Sequence, residues 1–291
     1  LAGVLIVWLY HLLHDEKDTG TNLVLSAIHS NENIPLRMAP LIFIATLLTH
    51  LFGGSAGREG AALQLGGSIG NSLGKLFHFD EKDQHIMIMC GMSAAFSALF
   101  GTPLAAAIFS MEVVSVGIMH YSALVPCVIA SLTAHGIASA CGIAPEIFPI
   151  ASIPAFTPKN ALIIGIFAVL CALVSILFCT TLHNAERLYK RFFKNPYVRA
   201  LAGGLIVIGL TMLAGNQTYN GTGMNIITGC MEGKTVFPLA FLLKMIFTAA
   251  TLGAGYKGGE IVPTLFIGST FGTFFASAFG CSIPLCAAVG M

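Results

Sequence analysis

The chain has 291 residues, of which 56% are hydrophobic and 9% charged, and its formal net charge is +1; its mean hydropathy is +0.84. Soluble domains carry roughly 25% charged residues because water must solvate their surface, so this composition excludes a water-facing exterior. The small net charge favours neither a nucleic acid nor an acidic partner. We therefore expect an all-α polytopic membrane protein that is embedded in the lipid bilayer.

The transmembrane candidates are apolar runs of about 20 residues. In chain order they are 36–52, 86–110, 122–143, 160–182, 198–214 and 236–252. Two further runs, 61–77 and 261–280, are rich in Gly, Ser and Phe; since small residues let helix backbones approach closely, we expect both inside the helix bundle. Three segments are too short to span a membrane: 21–30, 103–114 and 222–231. Short, interrupted helices at matching places in two halves indicate a transporter's binding site.

An internal repeat supports two halves. The segment 19–22 (Thr-Gly-Thr-Asn) recurs as 222–225 (Thr-Gly-Met-Asn), shifted by 203, and the segment 57–61 recurs as 259–263, shifted by 202. We predict a first repeat over 1–150 and a second over 151–291, in one membrane transport domain. Because the chain opens and closes inside apolar runs, we expect it to be the central part of a longer polypeptide, with each repeat incomplete at its outer end.

The distribution of basic residues predicts the orientation. The segment 187–199 holds five of the 14 Lys and Arg residues, and basic residues near helix ends favour the cytoplasmic side. We expect this segment in the cytoplasm, and the acidic loop at 80–83 outside.

The segment 57–60 (Gly-Arg-Glu-Gly) predicts an anion site. Its glycines allow a tight entry into a helix whose first N–H groups have no partner within the helix, and these donors lie at the positive end of the helix dipole. The segment 258–261 predicts a second helix start with the same kind of N–H donors after glycine residues. Helix N-termini of this kind attract a dehydrated anion without a full cation, which would bind it too tightly to release it.

Glu59 is the main functional candidate, because a carboxylate inside a membrane costs about 3 kcal/mol or more. Ionised, it can occupy the anion position; protonated, it is neutral and can move away, so one residue would be both gate and proton carrier. The alternative is a salt bridge from Glu59 to Arg58 that only holds a loop, although adjacent helical residues do not face each other.

These motifs resemble those of the CLC family of chloride channels and transporters. The segment 57–61 resembles the family's G-R/K-E-G-P signature, 259–263 its G-x-F-x-P motif, and 18–22 occupies the place of its G-S-G-I-P motif. The segment from Phe100 to Glu112 resembles its N-T/A-P-L-A…E helix. The resemblance implies a CLC-type fold of two inverted-topology repeats with short broken helices meeting at a central anion site. It also implies a homodimer with one pathway per subunit, and that the first helices and the pore tyrosine near the end of the family's membrane domain lie outside this chain.

Departures from the family pattern bear on the transported ion. Thr19 replaces the family's Ser, Ala61 its Pro and Ile261 its Phe, while the inner glutamate of many proton-coupled members falls on Val113, beside Glu112. This combination is similar to the fluoride/proton antiporter branch, although Thr19 is less typical there than Met. The resemblance implies transport of chloride or fluoride coupled to protons, in an integral, multi-pass protein of a bacterial inner membrane.

The resemblance also assigns residues: Glu59 becomes the gate and proton carrier. The expected anion-binding residues, mostly through backbone N–H groups, are Thr19, Gly20, Gly57, Arg58, Gly60, Ala61, Gly259, Ile261 and Val262. Further candidates are Asn22, Thr222, Asn225 and Glu112. The two asparagines are alternatively local helix caps, and Glu112 is alternatively a structural hydrogen-bonding group. The role of Glu260 stays open.

Three functions remain from the sequence: an anion/proton antiporter, a passive voltage-gated chloride channel of the same fold, and a truncated scaffold that transports nothing. The sequence contains no nucleophile–base pair and no metal-ligand pattern, so we expect neither an enzyme nor a cofactor or metal. His11, His14, Asp15 and Asp18 resemble a metal cluster in composition only. The eight cysteines, almost all inside apolar runs, are interpreted as small buried hydrophobic residues.

Overall fold

The computed structural model of the protein describes residues 1–15, 20–30, 34–114, 117–150, 154 and 157–291, without the side chains of Asn22, His29 and Ser30. This part of the chain is helical, with one isolated backbone bridge. The α-helices are α1 (Ala2–Leu12), α2 (Thr21–Ser30), α3 (Met38–Leu51), α4 (Glu59–Leu76), α5 (Glu81–Phe100), α6 (Pro103–Glu112), α7 (Leu124–Ala140), α8 (Pro158–Phe192), α9 (Pro196–Ala214), α10 (Met224–Met231), α11 (Ala240–Gly253), α12 (Ile261–Phe279) and α13 (Ile283–Gly290).

The helices group into two compact units. The first comprises Leu1–Trp8, Leu48–Gly57 and Phe148–Met291; within it α11 packs against α8, α9 and α12, and α12 packs against α10 and α13. The second comprises Leu9–Leu47 and Arg58–Ile147; within it α5 packs against α4, α6 and α7, and α2 packs against α4.

Four helical stretches of the described residues are long and apolar enough to cross a membrane: Tyr121–Ala140, which joins a 3₁₀ turn to α7, together with α8, α9 and α12. In the most apolar window of α12, 61% of the residues are buried, against 11% to 22% in the other three. The Gly, Ser and Phe content of 261–280 therefore correctly predicted an inner helix. The other three expose apolar side chains that suit contact with lipid.

Three predicted spans differ from the structure. The predicted spans 36–52 and 236–252 correspond to α3 and α11, which have 14 residues each and are shorter than the helices that could cross a membrane. The run 86–110 is divided between α5 and α6, because Gly101 ends α5 in the left-handed region (φ +67°). Pro103 then opens α6, where its missing N–H is not needed. In contrast, α8 is longer than predicted: its 35 residues extend about 50 Å, which exceeds a hydrocarbon layer of about 30 Å. The helix includes the first basic residues of the segment 187–199.

Glycines set the closest helix packing in each unit. In the second unit, a Cβ added to Gly66 or Gly70 of α4 would collide with backbone atoms of Gly91 and Met87 of α5. In the first unit, a Cβ at Gly268 or Gly272 of α12 would collide in the same way with backbone atoms of α13. Small residues at these positions let two helix backbones touch, which is the expected packing device in a membrane.

The helix bounds follow the offset of the sequence repeat. Three pairs of helices begin at equivalent positions: α3 with α11, α4 with α12, and α5 with α13. Their first residues are Met38 and Ala240, Glu59 and Ile261, and Glu81 and Ile283. Each pair is 202 residues apart, the same shift that relates the segments 57–61 and 259–263 in the sequence.

Candidate functional site

Helix α4 begins at Glu59, directly after Arg58. Glu59 is fully buried, with 0% of its surface exposed, and Ala61 is 8% exposed. The Ala62 N–H donates to the Arg58 carbonyl oxygen (3.0 Å), whereas Gly60 and Ala61 have no carbonyl group one turn earlier within the helix. The first turn of α4 thus combines backbone donors, the positive end of a helix dipole and a buried carboxylate. The role of Glu59 as a gate stays a prediction.

The side chain of Arg58 has a partner that sequence reasoning missed. Its guanidinium forms an ion pair with Glu146, in the segment that follows α7. The Glu146 side chain is 10% exposed and that of Arg58 is 53% exposed. The second carboxylate oxygen of Glu146 is buried and has no hydrogen-bond partner in the described part of the chain. Arg58 therefore lies beside the gate candidate with part of its positive charge offset by Glu146.

In the first unit, Gly57 and Gly259 form a two-way backbone bridge. The Gly57 N–H donates to the Gly259 carbonyl oxygen (2.6 Å) and the Gly259 N–H donates to the Gly57 carbonyl oxygen (2.7 Å). A Cβ at Gly258 would lie 2.6 Å from the Ala56 Cβ, so the approach is close. Both glycine N–H groups are engaged in the hydrogen bonds of this bridge. These two N–H groups therefore donate within the chain, and the contribution of Gly57 and Gly259 to an anion site stays a prediction.

Helix α12 begins two residues after Gly259. Pro263 has no N–H, and the Thr264 N–H donates to the Glu260 carbonyl oxygen (2.9 Å). The helix geometry therefore leaves Ile261 and Val262 as first-turn donors. Val262 is fully buried, Ile261 is partly buried and Glu260 is exposed.

The second unit places the start of α2 next to α4. Gly20 has φ +74°, and a Cβ there would lie 3.6 Å from Gln64 Nε2. Gln64 is 2% exposed, and its Oε1 has no hydrogen-bond partner among the described residues. Sequence reasoning missed Gln64, although a single Gln among apolar residues of α4 was a readable signal. Thr19 lies outside the described residues, as does the side chain of Asn22.

The remaining sequence candidates are less enclosed. In the first unit, Thr222 is partly buried and Asn225 is exposed. The N-cap of α10 is Gly223, so the reading of Asn225 as the cap is wrong. Glu112, in the second unit, is the last residue of α6 and is exposed.

Asp15 is held by Arg37 through two hydrogen bonds of 2.8 and 3.1 Å. Among the described residues, no group of three or more His, Cys, Asp or Glu side chains is placed to hold a metal ion.

Gly223 has a conformation and surroundings that only glycine fits. Its φ is +77°, and a Cβ would lie 2.5 Å from Phe266 Cδ2. We expect Gly223→Ala to lower stability by about 2 kcal/mol, because a left-handed backbone and a steric clash both oppose the methyl group. The stability of the variant is measured by heating the purified protein and recording the temperature at which its monodisperse peak in size-exclusion chromatography is lost. Gly209→Ala is the matched control, since no atom lies within 4 Å of its added Cβ; equal melting of both variants would contradict the expectation.

Comparisons with known proteins agree on one family. A family model described as "Voltage gated chloride channel" matches residues 2–291. The chain is 34% identical to the "Chloride/fluoride channel protein" of Pseudomonas syringae pv. tomato, over 100% of this chain and 66% of that protein. It is 24% identical to the "Voltage-gated ClC-type chloride channel ClcB" of Salmonella typhimurium, over 98% of this chain and 68% of that one. The chain thus spans about two thirds of the length of these relatives.

Solved structures give the same fold. A crystal structure of a CLC-type fluoride/proton antiporter matches with a TM-score of 0.91 and 35% identity, over 99% of this chain and 73% of that one. A slow cyanobacterial Cl⁻/H⁺ antiporter matches with a TM-score of 0.83 at 20% identity, over 99% of this chain and 70% of that one.

Proposed function

Because the chain belongs to the voltage-gated chloride channel family, we propose that it carries a small halide anion across a membrane in exchange for protons. It is an integral membrane protein with the CLC fold. The observation that carries the proposal is Glu59, a carboxylate with no exposed surface in the first turn of a helix. A buried acid at a helix N-terminus in an otherwise apolar protein points to ion or proton movement.

Fluoride is the anion that the similarities favour. The solved relative at 35% identity is described as a fluoride/proton antiporter, and the relative from Pseudomonas as a chloride/fluoride channel. The apolar Ile261 takes the place of the family's Phe. A small, strongly hydrated anion needs hydrogen-bond donors in place of its water, and the first-turn N–H groups of α4 are donors of this kind.

In the proposed cycle, ionised Glu59 competes with the anion for the donors at the start of α4. Protonation removes the charge of the side chain, so the anion can take its place and the proton moves with Glu59. Gly60 and Ala61 donate in α4, and Ile261 and Val262 in α12. Arg58 raises the anion concentration nearby, while Gly57 and Gly259 hold the backbone. Gly20 and Thr19 belong to the start of α2, and Asn22, Thr222, Asn225 and Glu112 remain further candidates.

The chain's organisation is part of the proposal. We place an inverted repeat in 1–150 and another in 151–291, and the equal offset of three helix starts supports this. A homodimer in a bacterial inner membrane, with the basic segment 187–199 in the cytoplasm, completes the assignment.

Flux in liposomes tests the function. The purified full-length protein, reconstituted with a fluoride gradient, is expected to drive protons uphill, with the fluoride read by a selective electrode and the protons by a pH electrode. Fluoride flux without uphill proton movement would support the alternative of a passive channel. Fluoride flux equal to that of protein-free liposomes would support the alternative of a scaffold that transports nothing. Repeating the measurement with chloride gives the selectivity.

Glu146 offers a test of the electrostatics beside the gate. Glu146→Gln leaves Arg58 its full charge, so we expect the anion KM to fall by about twofold to threefold, a modest effect because the guanidinium is half exposed. Arg58→Gln is the complementary variant: it removes the positive charge, so it should raise the anion KM. Both effects should shrink above about 0.5 M salt, where charges are screened within a few ångströms. KM shifts of the same sign in both variants would contradict the assignment.

A further inference from the structure

An apolar groove lies between α8, α9 and α11 of the first unit. Its volume of about 310 Å³ falls within the range of about 300–1,000 Å³ that is usual for ligand pockets. Leu188 and Phe192 of α8 line one wall, and Ile206 of α9 and Ile246 of α11 line the other. Each of these four side chains is between 44% and 69% exposed. The groove is therefore open along its length and offers apolar surface to a hydrocarbon chain.

Small residues form the floor of this groove. Ala249 and Ala250 of α11 line it and are buried. One turn further along α11, a Cβ added to Gly253 would lie 3.1 Å from the Ala185 Cβ of α8, and a Cβ added to Gly203 of α9 would collide with Ala254. Close packing at this end of α11 thus holds α8 and α9 against it, while the two alanines leave the space between the larger side chains.

One end of the groove leads into a basic segment. Phe192 and Phe193 line the groove at the end of α8, and the short link to α9 follows directly. The segment 186–199 holds five basic residues and one acid, Glu186, which pairs with Lys190. The other four basic side chains have no ion-pair partner among the described residues: Arg187, Arg191, Lys194 and Arg199. The apolar groove therefore ends beside a surplus of positive charge.

Arg199 brings a buried hydrogen-bond donor to this end of the groove. It lies on α9 seven residues before Ile206, which places both on one helix face. Its Nε is buried and has no hydrogen-bond partner in the described part of the chain. A Cβ added to Gly255, just after α11, would lie 3.6 Å from one terminal guanidinium nitrogen. A buried N–H without an acceptor is costly, and the guanidinium fork fits the oxygens of a phosphate group.

We propose that this groove binds one phospholipid whose headgroup carries a net negative charge. An acyl chain of the lipid lies against Leu188, Phe192, Ile206 and Ile246, and the phosphate oxygens accept hydrogen bonds from Arg199. Lysine and arginine side chains reach the headgroup layer from positions beside apolar surface, so the rest of the basic segment adds attraction. Basic clusters at the end of a membrane helix favour anionic over zwitterionic lipids. The inference goes beyond the proposed transport and does not depend on the ion that is carried.

Native mass spectrometry of the full-length protein in detergent micelles tests the site. The fraction of protein with one bound lipid is measured as phosphatidylglycerol, or phosphatidylcholine with the same acyl chains, is titrated. We expect phosphatidylglycerol to bind at least about tenfold more tightly. Arg199→Gln should remove about tenfold of this affinity, because the phosphate loses its paired donors. Lys194→Gln should weaken binding by about twofold to threefold, since Lys194 is exposed. Ile206→Trp should weaken the binding of both lipids, because the larger ring occupies the groove.

Two variants serve as matched controls and should keep the wild-type affinities. Lys159→Gln removes an exposed charge in the first turn of α8, at the end away from the basic segment. Ile208→Trp enlarges a 54% exposed side chain of α9 that does not line the groove.

Three outcomes would overturn the inference. The first is equal affinity of the wild type for the two lipids, and the second is wild-type affinity for phosphatidylglycerol in Arg199→Gln. The third is displacement of the lipid by inorganic phosphate together with unchanged binding in Ile206→Trp, which would indicate a site for free phosphate. Should Arg199→Gln fail to give a monodisperse protein, Lys194→Gln and Ile206→Trp decide, and unchanged affinity in both overturns the inference.

Discussion

Glu59→Gln is expected to abolish proton movement by the transporter. Glutamine has nearly the size of the protonated acid but can neither release nor accept the proton, so proton flux should fall by about 100-fold or more, as when a positioned proton-transfer group is removed. Fluoride and proton fluxes are measured in the same liposomes. The anion flux should become independent of pH, because a neutral side chain no longer competes for the donors at the start of α4.

A surface acid provides the matched control. Glu186 is half exposed and pairs with Lys190 one turn further along α8, so Glu186→Gln should keep the coupling of the wild type. Retention of uphill proton transport by Glu59→Gln would contradict the gate assignment. Loss of coupling in both variants would mean that the assay reports general damage and not the gate.

The second large effect is expected at Gly66. A methyl group there collides with the backbone of Gly91 and leaves 2.8 Å to the Ala95 Cβ, so α4 and α5 must separate. Such overpacking costs about 1–3 kcal/mol or more, and it also displaces the helix that carries Glu59. We expect Gly66→Ala to lose most of its folded yield in detergent and its flux in liposomes.

Two variants complete this test. Gly268→Ala should be as damaging, since its Cβ collides with the backbone of Gly290. Gly165→Ala on α8, where nothing lies within 4 Å of an added Cβ, should fold at least as well as the wild type because alanine favours a helix. A wild-type yield for Gly66→Ala would show that the α4–α5 contact is looser than described.

Much of the fold could be predicted from the sequence because the hydropathy and small-residue patterns of membrane helices are strong. Apolar runs, small-residue helices and the repeated Gly motifs correctly indicated most helices and the inner position of α12. The run 86–110 was misjudged because hydropathy does not register a break, although Gly101 and Pro103 signalled one. The length of α8 was missed because its last turns are basic and fall outside any hydropathy window.

The candidate site was only partly predictable. Glu59 could be identified because an acidic residue in an apolar segment is energetically costly and is therefore a functional candidate. The pairing of Arg58 with Glu146 could not, since neither helix periodicity nor a motif links residues so far apart in the chain. Lys244 of α11 was visible as a single basic residue in an apolar helix, but its partners are the backbone carbonyl groups of Tyr219 and Gly221, which carry no residue-specific signal.

The bridge between Gly57 and Gly259 uses main-chain atoms alone. Co-variation between residue types cannot report such a contact, because every amino acid except proline presents the same N–H and C=O groups. The close approach does require glycine-sized residues nearby, so substitutions around it are restricted at each position separately. Replacing one of the two amides by an ester would remove a single donor and leave every side chain in place, and this would measure how tightly the two segments are coupled.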